Sequence, residues 1–214
     1  MIAKTPPAEL IVHTMEQRSD EWFAARLGKI TGTSFQPAAT GRADTKKKLA
    51  LEKAAEILTG VNANGPRQTE AMLRGIEIEP FARQAYEAER LLHVTEVGFI
   101  ELSQYVGISP DGLIGDDGGL EIKCPLASTH VSYLTAGGDA WKDYRWQIQG
   151  ALLVTGRAWW DFVSYHPDFP AEMQLVIERV EPDLEMHETL ANGLAEVQDL
   201  IAGYVKAARE VCNV

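Results

Sequence analysis

Short segments rich in Val and Ile crowd the middle of the chain, and their length constrains the fold more than any other feature. They occupy residues 94–102, 105–109, 111–115 and 120–124. Each has the length of a β-strand, and turn-forming residues separate them. Asp117-Gly118-Gly119, between the last two, predicts a tight hairpin turn. This region is therefore expected to form short strands, with an antiparallel pair at its end.

Helical patterns precede these strands. Ser19 is a good N-cap for a short first helix, and a second is expected over residues 45–59. A third helical pattern runs from about Thr69 to Leu92. Because proline removes a backbone donor and glycine weakens a helix, Gly75 and Pro80 are expected to interrupt or bend it.

The pattern changes again after the strands. Residues 141–155 predict a crossover helix, 158–166 and 173–180 predict two more strands, and 183–208 predict a closing helix with apolar residues at helical spacing. This order predicts an α/β (α+β) fold, with one central mixed β-sheet flanked by helices. The 214 residues suit a single domain.

Composition and charge limit the classes of partner and compartment. The net charge of −11 argues against nucleic acid, but residues 1–60 carry nine basic and seven acidic residues, which leaves eleven and twenty-four for the rest. A locally basic channel therefore remains possible. The first residues lack a signal-peptide pattern, no apolar run reaches the roughly 18 residues of a membrane span, and two cysteines suggest no disulfide framework. We expect a cytoplasmic protein without membrane contact.

Three charged residues in the hairpin form the candidate site. Asp111 begins one strand, and Glu121 and Lys123 lie on the next. Residues two apart in a strand share a face, so Glu121 and Lys123 project together and the hairpin can bring Asp111 beside them. Two carboxylates and the carbonyl of Ile122 would make a hard oxygen site suited to Mg²⁺ or Mn²⁺. A lysine beside such a metal suits phosphodiester hydrolysis.

The same residues have a plainer interpretation. A surface hairpin with its charges in solvent would show the same triplet, and the chain contains a second acidic-x-Lys triplet at Asp44-Thr45-Lys46. That second triplet lies at an expected helix start, where it is best explained as a cap. From the hairpin alone, the metal site and the solvated surface remain comparable alternatives.

The stretch Ser109-Pro-Asp-Gly-Leu, followed by a glycine-rich turn and Leu120-Glu-Ile-Lys-Cys-Pro, resembles the lambda exonuclease family, also described as YqaJ-like viral recombinases. These belong to the PD-(D/E)xK nucleases, whose restriction-endonuclease-like core the resemblance implies. Three further segments are similar in order and spacing, so that the resemblance spans about residues 16–180. They are Trp22 to Thr31, Arg74 to Glu79, and Gln147 to Gln149 with the strand that follows.

The resemblance implies a role for each residue of the site. Asp111 and Glu121 would bind Mg²⁺ (Mn²⁺ substituting), with the carbonyl of Ile122, and Lys123 would position or activate water. Glu79 would face the metal directly or through water. Its alternative is a solvent-facing glutamate on a helix.

The resemblance also implies a pocket for a 5′-phosphate and a wedge between strands. Met72 matches the apolar wedge, although an apolar residue at helical spacing is more often part of a core. Arginine suits a phosphate because its guanidinium donates two parallel hydrogen bonds. Each polar match has an ordinary surface or turn alternative. The matching pocket residues are Arg26, Thr33 or its neighbour Ser34 (the family has a serine there), Ser109 and Gln147.

The activity implied is a 5′→3′ exonuclease on double-stranded DNA, which releases mononucleotides from 5′-phosphorylated ends and leaves 3′ single strands. A catalytic core over about 70–180 would be joined by helices 19–60, which contact DNA and phosphate. The resemblance further implies a homotrimeric ring, a single-strand annealing protein as partner, and a phage or prophage origin in a bacterial host. The alternatives are a PD-(D/E)xK endonuclease and an inert DNA-end-binding recombination scaffold.

Overall fold

A computed structural model describes residues 10–62 and 69–212. These segments contain seven helices and seven strands, and short 3₁₀ turns cover Ala140–Tyr144 and Ala171–Met173. In chain order the elements are β1 (Ile11–His13), α1 (Asp20–Arg26), α2 (Gly32–Thr40), α3 (Ala43–Thr59), α4 (Glu70–Arg90), β2 (Phe99–Ser103), β3 (Val106–Ile108), β4 (Gly112–Ile114), β5 (Gly118–Lys123), α5 (Ala127–Leu134), α6 (Arg145–Thr155), β6 (Trp159–Tyr165), β7 (Leu175–Val180) and α7 (Leu184–Cys212).

Caps fix where several helices begin. The Ser19 hydroxyl accepts a hydrogen bond from the backbone N–H of Trp22 at 3.2 Å, as predicted for α1. Thr69 caps α4 in the same way, accepting from Met72 at 3.2 Å. The expected interruption of α4 is wrong, because the helix runs unbroken through Gly75 and Pro80. Its C-terminal half is held by residues buried against the sheet, which outweighs one missing backbone hydrogen bond.

Two helices were not predicted, and tertiary packing explains both. Helix α2 contains Gly32 and Pro37, which weaken the local helical signal. It forms because Phe35 is fully buried and packs against the backbone of Gly150 in α6. The short helix α5 likewise depends on burial of His130 and Tyr133.

The strands form two sheets rather than the one that was expected. Strands β1, β2 and β3 make an antiparallel sheet, and a second sheet has the order β4-β5-β6-β7. In the second, β5 and β6 are parallel and the outer pairs are antiparallel. Pro110 lies between β3 and β4 and lacks a backbone donor, which favours the break. Thr95, in the segment before β2, forms two backbone hydrogen bonds with Leu113 of β4. The predicted mixed α/β class is confirmed.

The predicted hairpin is present, but its glycines lie in the strand. The turn covers residues 115–117, and both Gly118 and Gly119 belong to β5. The reason is their contact with the parallel neighbour β6. A Cβ on Gly118 would lie 2.2 Å from the ring of Trp159, and one on Gly119 would lie 2.2 Å from the ring of Trp160. These glycines therefore let two tryptophans pack directly on the backbone of β5.

Helices cover both faces of the four-stranded sheet. On one face Ala82 and Tyr86 of α4 pack against Leu120, Ile122 and Val163. On the other face Trp160 and Phe162 join a larger core that also contains residues of α2, α6 and α7. Within the segments described, no helix has the length and apolar character needed to cross a membrane. The signal-peptide expectation concerns residues 1–13, of which residues 1–9 lie outside these segments.

Candidate active site

The β4–β5 hairpin brings the three predicted charged residues together. Gly112 pairs with Leu120, which places Asp111 at the edge of β5. The Asp111 Oδ2 atom accepts a hydrogen bond from the backbone N–H of Ile122 at 2.6 Å. On the same strand, the Lys123 ammonium donates to Glu121 Oε1. Two carboxylates and one ammonium therefore share one end of the sheet.

Burial and mutual charge perturb this cluster strongly. Glu121 is only 2% exposed, so the solvated-hairpin alternative is wrong. Burial, followed by the negative charge of Glu121, raises the pKa of Asp111 well above its usual range. Burial alone would lower the pKa of Lys123, but Glu121 and Asp111 outweigh it and raise that pKa. The carboxylates are thus crowded in a site where further positive charge would be stabilising.

Glu79 projects from α4 toward the same cluster. Its Oε2 atom accepts from Arg18 Nη2 at 2.9 Å, and its Oε1 atom accepts from Arg83 Nη2 at 3.1 Å. Its side chain is largely buried, so the solvent-facing alternative is wrong. Because Glu79 also raises the pKa of Asp111, it contributes to the negative field at the hairpin.

A cleft of about 430 Å³ opens over these residues. Asp111, Lys123 and Glu79 all line it, together with Ile122. Met72 lies in its wall and is 53% exposed, so the alternative that Met72 is part of a core is wrong. The cleft combines a charged floor with an exposed apolar wall.

The oxygen atoms of the hairpin cluster fit a hard divalent cation. No group of three or more His, Cys, Asp or Glu side chains has metal-site spacing in the parts of the chain that are described. The donors nearest the hairpin are the carboxylates of Asp111 and Glu121, with the carbonyl of Ile122 between Glu121 and Lys123. All are oxygen donors of the kind that Mg²⁺ and Mn²⁺ prefer. Burial and then the charge of Glu121 raise the pKa of Asp111, and a bound cation would offset this repulsion between the carboxylates.

A second cavity, of about 310 Å³, adjoins the cleft. Arg18 and Lys123 line both cavities. Glu121 lines this second cavity, where its Oε1 atom accepts a hydrogen bond from Gln147 Nε2 at 2.6 Å. The structure brings four of the predicted phosphate-pocket residues into this cavity: Arg26, Thr33, Ser109 and Gln147.

Arg26 is held in place before any ligand arrives. Its Nη1 donates to the Ser109 hydroxyl at 2.7 Å, and its guanidinium lies 4.1 Å from the centre of the Trp22 ring. Trp22 Nε1 donates to the same hydroxyl at 2.9 Å. Burial lowers the pKa of Arg26 to about 10, which leaves it charged at neutral pH. A fixed, partly desolvated guanidinium is well suited to bind an anion.

The two hydroxyl residues at the start of α2 have different positions. Thr33 is exposed and lines the cavity. Ser34 is not among the described residues that line it, and its backbone N–H donates to the carbonyl of Thr31 at 2.7 Å. Successive helix residues point about 100° apart, so one of the pair must face elsewhere. The structure thus places Thr33 rather than Ser34 at the cavity, and a role of either hydroxyl in binding phosphate stays a prediction.

Sequence reasoning missed two residues of the site. Arg18 lines both cavities, but in the sequence it is only one of several basic residues near the N-terminus. Tyr144 lines the cleft, with its ring centre 4.8 Å from Lys123 Nζ. Tyr144 lies in a 3₁₀ turn with no motif of its own, so no local signal could have identified it.

Comparison with known proteins supports the resemblance. Residues 21–158 match the family model described as the YqaJ-like viral recombinase domain. Crystal structures of an alkaline exonuclease from Laribacter hongkongensis, alone and in complex with dAMP, are 37% identical, with TM-scores of 0.75 and 0.76; 90% of this chain and 100% of that chain are covered.

A phage-related exonuclease from Haemophilus somnus 129PT shares the fold at 14% identity, with a TM-score of 0.69 and coverage of 86% of this chain and 96% of that one. No curated protein matches. The family model matches well over half of this chain. The chain therefore belongs to the YqaJ-like viral recombinase family, the lambda exonuclease group that its sequence resembles.

Proposed function

We propose that this protein is a Mg²⁺-dependent 5′→3′ exonuclease on double-stranded DNA. It would release mononucleotides from 5′-phosphorylated ends and leave 3′ single strands. One observation carries the proposal: a carboxylate-lined cleft and an arginine-lined cavity adjoin, and Lys123 lines both. The 37% identical relative, an alkaline exonuclease solved with dAMP, supports it.

The chemistry would take place where the cleft meets the second cavity, since Asp111 and Ile122 line the cleft and Glu121 lines the cavity. Asp111, Glu121 and the carbonyl of Ile122 would hold the cation, with Glu79 beside them. When bound, Mg²⁺ lowers the pKa of water and neutralises phosphate charge. Lys123 would orient the attacking water and stabilise the charge that develops on the phosphate oxygens. Its ammonium already donates to Glu121, a position that suits charge stabilisation rather than proton abstraction.

The neighbouring cavity would recognise the 5′-phosphorylated end of the DNA strand. Arg26, Ser109 and Thr33 can donate to a terminal phosphate, and the first turn of α2 adds the positive end of a helix dipole. With the 5′-phosphate held there, the next phosphodiester reaches the carboxylate cleft. Gln147, which donates to Glu121 inside this cavity, would link the bound phosphate to a carboxylate of the proposed metal site.

The wider assembly follows from the family and from charge. We infer a homotrimeric ring around DNA, in which an acidic exterior does not oppose a duplex held inside. The uneven charge, basic over residues 1–60 and acidic beyond, supports this arrangement. A single-strand annealing protein would take up the product strand for phage-type recombination in the bacterial cytoplasm. A monomer found by mass measurement at micromolar concentration would contradict the ring.

The test uses linear duplex DNA with a 5′-phosphate on one strand only. In Mg²⁺ we expect loss of the phosphorylated strand as mononucleotides, and in EDTA no loss. Lys123→Ala should bind the duplex but digest it at least about 100-fold more slowly. Arg26→Lys should reduce the preference for the phosphorylated strand, because a lysine cannot reproduce a two-point phosphate contact.

The same assay separates the alternatives. Cleavage of closed circular DNA would move the protein to the endonucleases, since such DNA has no end. Binding of DNA without digestion in either Mg²⁺ or Mn²⁺ would favour the inert scaffold. Equal loss of strands with 5′-hydroxyl and 5′-phosphate ends would remove the role proposed for the Arg26 cavity.

A further inference from the structure

Arg18 has an unusual backbone conformation at the boundary between the two cavities. Its φ angle is +72°, in the left-handed region that only glycine adopts easily. Both neighbours are fixed. The Gln17 amide donates to the carbonyls of Val97 and Pro110 at 3.0 and 2.8 Å, and Ser19 caps α1. The surrounding contacts therefore impose the strained geometry on Arg18.

A glycine would satisfy this backbone, so the side chain of Arg18 must contribute something that the backbone does not require. It lines the carboxylate cleft and the Arg26 cavity, and it also lines a third cavity beside Glu79. In the present structure its guanidinium donates to Glu79 at 2.9 Å. That contact is not needed to hold Glu79, because Arg83 donates to the other carboxylate oxygen.

The two arginines that bind Glu79, Arg18 and Arg83, differ in how exposed their side chains are. The Arg18 side chain is 38% exposed, whereas that of Arg83 is 13% exposed and also pairs with Glu96. Arg83 is therefore the fixed partner of Glu79. Arg18 is the exchangeable one, because a partly exposed ion pair contributes little stability and leaves donors free.

We propose that Arg18 binds the two non-bridging oxygens of the DNA phosphodiester that lies between the two cavities. It would leave Glu79 as the phosphate enters and clamp the backbone between Arg26 and Lys123. This inference rests on the proposed function, since it assumes that DNA occupies both cavities. Arginine suits the role because its planar fork contacts two oxygens at once.

The decisive variant is Arg18→Gly, because glycine accepts the φ of +72° and the fold should be retained. We expect an unchanged or higher melting temperature. Affinity for a 5′-phosphorylated duplex, measured in EDTA so that nothing is cleaved, should fall about ten-fold. The slope of log affinity against log salt should become shallower by about 0.9, the value for one lost phosphate contact.

Two controls test whether the lost affinity comes from a phosphate contact of Arg18 itself. Arg209→Ala removes an exposed arginine that is not among the described residues lining either cavity, and it should leave the salt slope unchanged. In a Glu79→Gln background, Arg18→Gly should still lose about the same affinity. An unchanged slope for Arg18→Gly, or an effect that disappears when Glu79 is neutralised, would overturn the inference and leave Arg18 as a partner of Glu79 only.

Digestion by the wild-type protein is followed in parallel in Mg²⁺. If the wild type fails to digest while Arg18→Gly still lowers the salt slope, the nuclease proposal fails and the phosphate contact stands. If the wild type digests DNA and the salt slope of Arg18→Gly equals that of the wild type, the phosphate contact of Arg18 is refuted and the nuclease proposal stands.

Discussion

Replacing Asp161 with alanine is expected to loosen helix α4 from the sheet that carries the candidate site. Asp161 is fully buried on β6 and pairs in register with Leu120, next to Glu121. It accepts a hydrogen bond from the Tyr86 hydroxyl of α4 at 2.7 Å. Arg179 donates to both of its oxygens, at 2.8 and 2.9 Å. Since Tyr86 lies two helical turns after Glu79, this contact helps to set where Glu79 stands.

The loss of stability in Asp161→Ala depends on which of its two partners is left buried without a hydrogen bond. Removing one member of a buried charged pair costs about 3–5 kcal/mol. The Arg179 side chain is 47% exposed and regains water when its partner is lost, so we expect the lower end, about 3 kcal/mol. Most of that loss comes from the buried Tyr86 hydroxyl left without an acceptor. Tyr86→Phe, which removes the donor and keeps the ring, should cost only about 1 kcal/mol.

Urea unfolding followed by circular dichroism measures both variants and the double variant. Because Tyr86→Phe removes the group that Asp161→Ala leaves stranded, the double variant should be at least about 1 kcal/mol more stable than the sum of the single losses predicts. Additive losses, or an Asp161→Ala loss no greater than that of Tyr86→Phe, would refute the idea that the Tyr86–Asp161 contact holds α4 on the sheet.

Further predictions concern the hairpin, the metal and the long C-terminal helix. Folding raises the pKa of Asp111, so its stabilising contribution is fully present below its usual pKa near 4 and is lost as the pH rises through the raised value. Thermal scans without metal should therefore show the wild type falling below Asp111→Asn as the pH increases, and Mg²⁺ at neutral pH should raise the melting temperature of the wild type alone. Gly119→Ala should destabilise the protein by about 1–3 kcal/mol in urea unfolding, because its Cβ would meet the Trp160 ring at 2.2 Å. Gly203→Ala, in α7 with open space around it, should stabilise by up to about 1 kcal/mol in the same assay, and a loss there would contradict the space that the structure shows.

The hairpin could be predicted because its signals are local. Period-two alternation fixes that Glu121 and Lys123 share a face, and a short turn between β4 and β5 leaves Asp111 few places to lie. Helix α2 and the separation into two sheets could not be predicted in the same way. Their stability comes from burial against elements far away in the chain, and a window of a dozen residues contains no information about it.

The residues of the second cavity also show how little local sequence reveals about a site. Arg26 and Gln147 were identified only through resemblance, because alone each is an ordinary polar residue on a helix. The sequence could not distinguish between Thr33 and Ser34 as the residue of the pocket. The orientation of α2 places Thr33 at the cavity. Arg18 was missed altogether, since its importance depends on a left-handed backbone and on the meeting of two cavities.

By itself, the sequence determined the mixed class of the fold, the hairpin and the charged triplet on it, because hydrophobic period, caps and turns act over a few residues. Only the tertiary structure decided which charges meet. Glu79 reaches Asp111 because α4 packs across the sheet, and Arg18 reaches Glu79 because Gln17 ties its segment to Pro110. Such encounters depend on packing between segments distant in the chain, and coulombic effects on pKa act only after packing has brought the charges close.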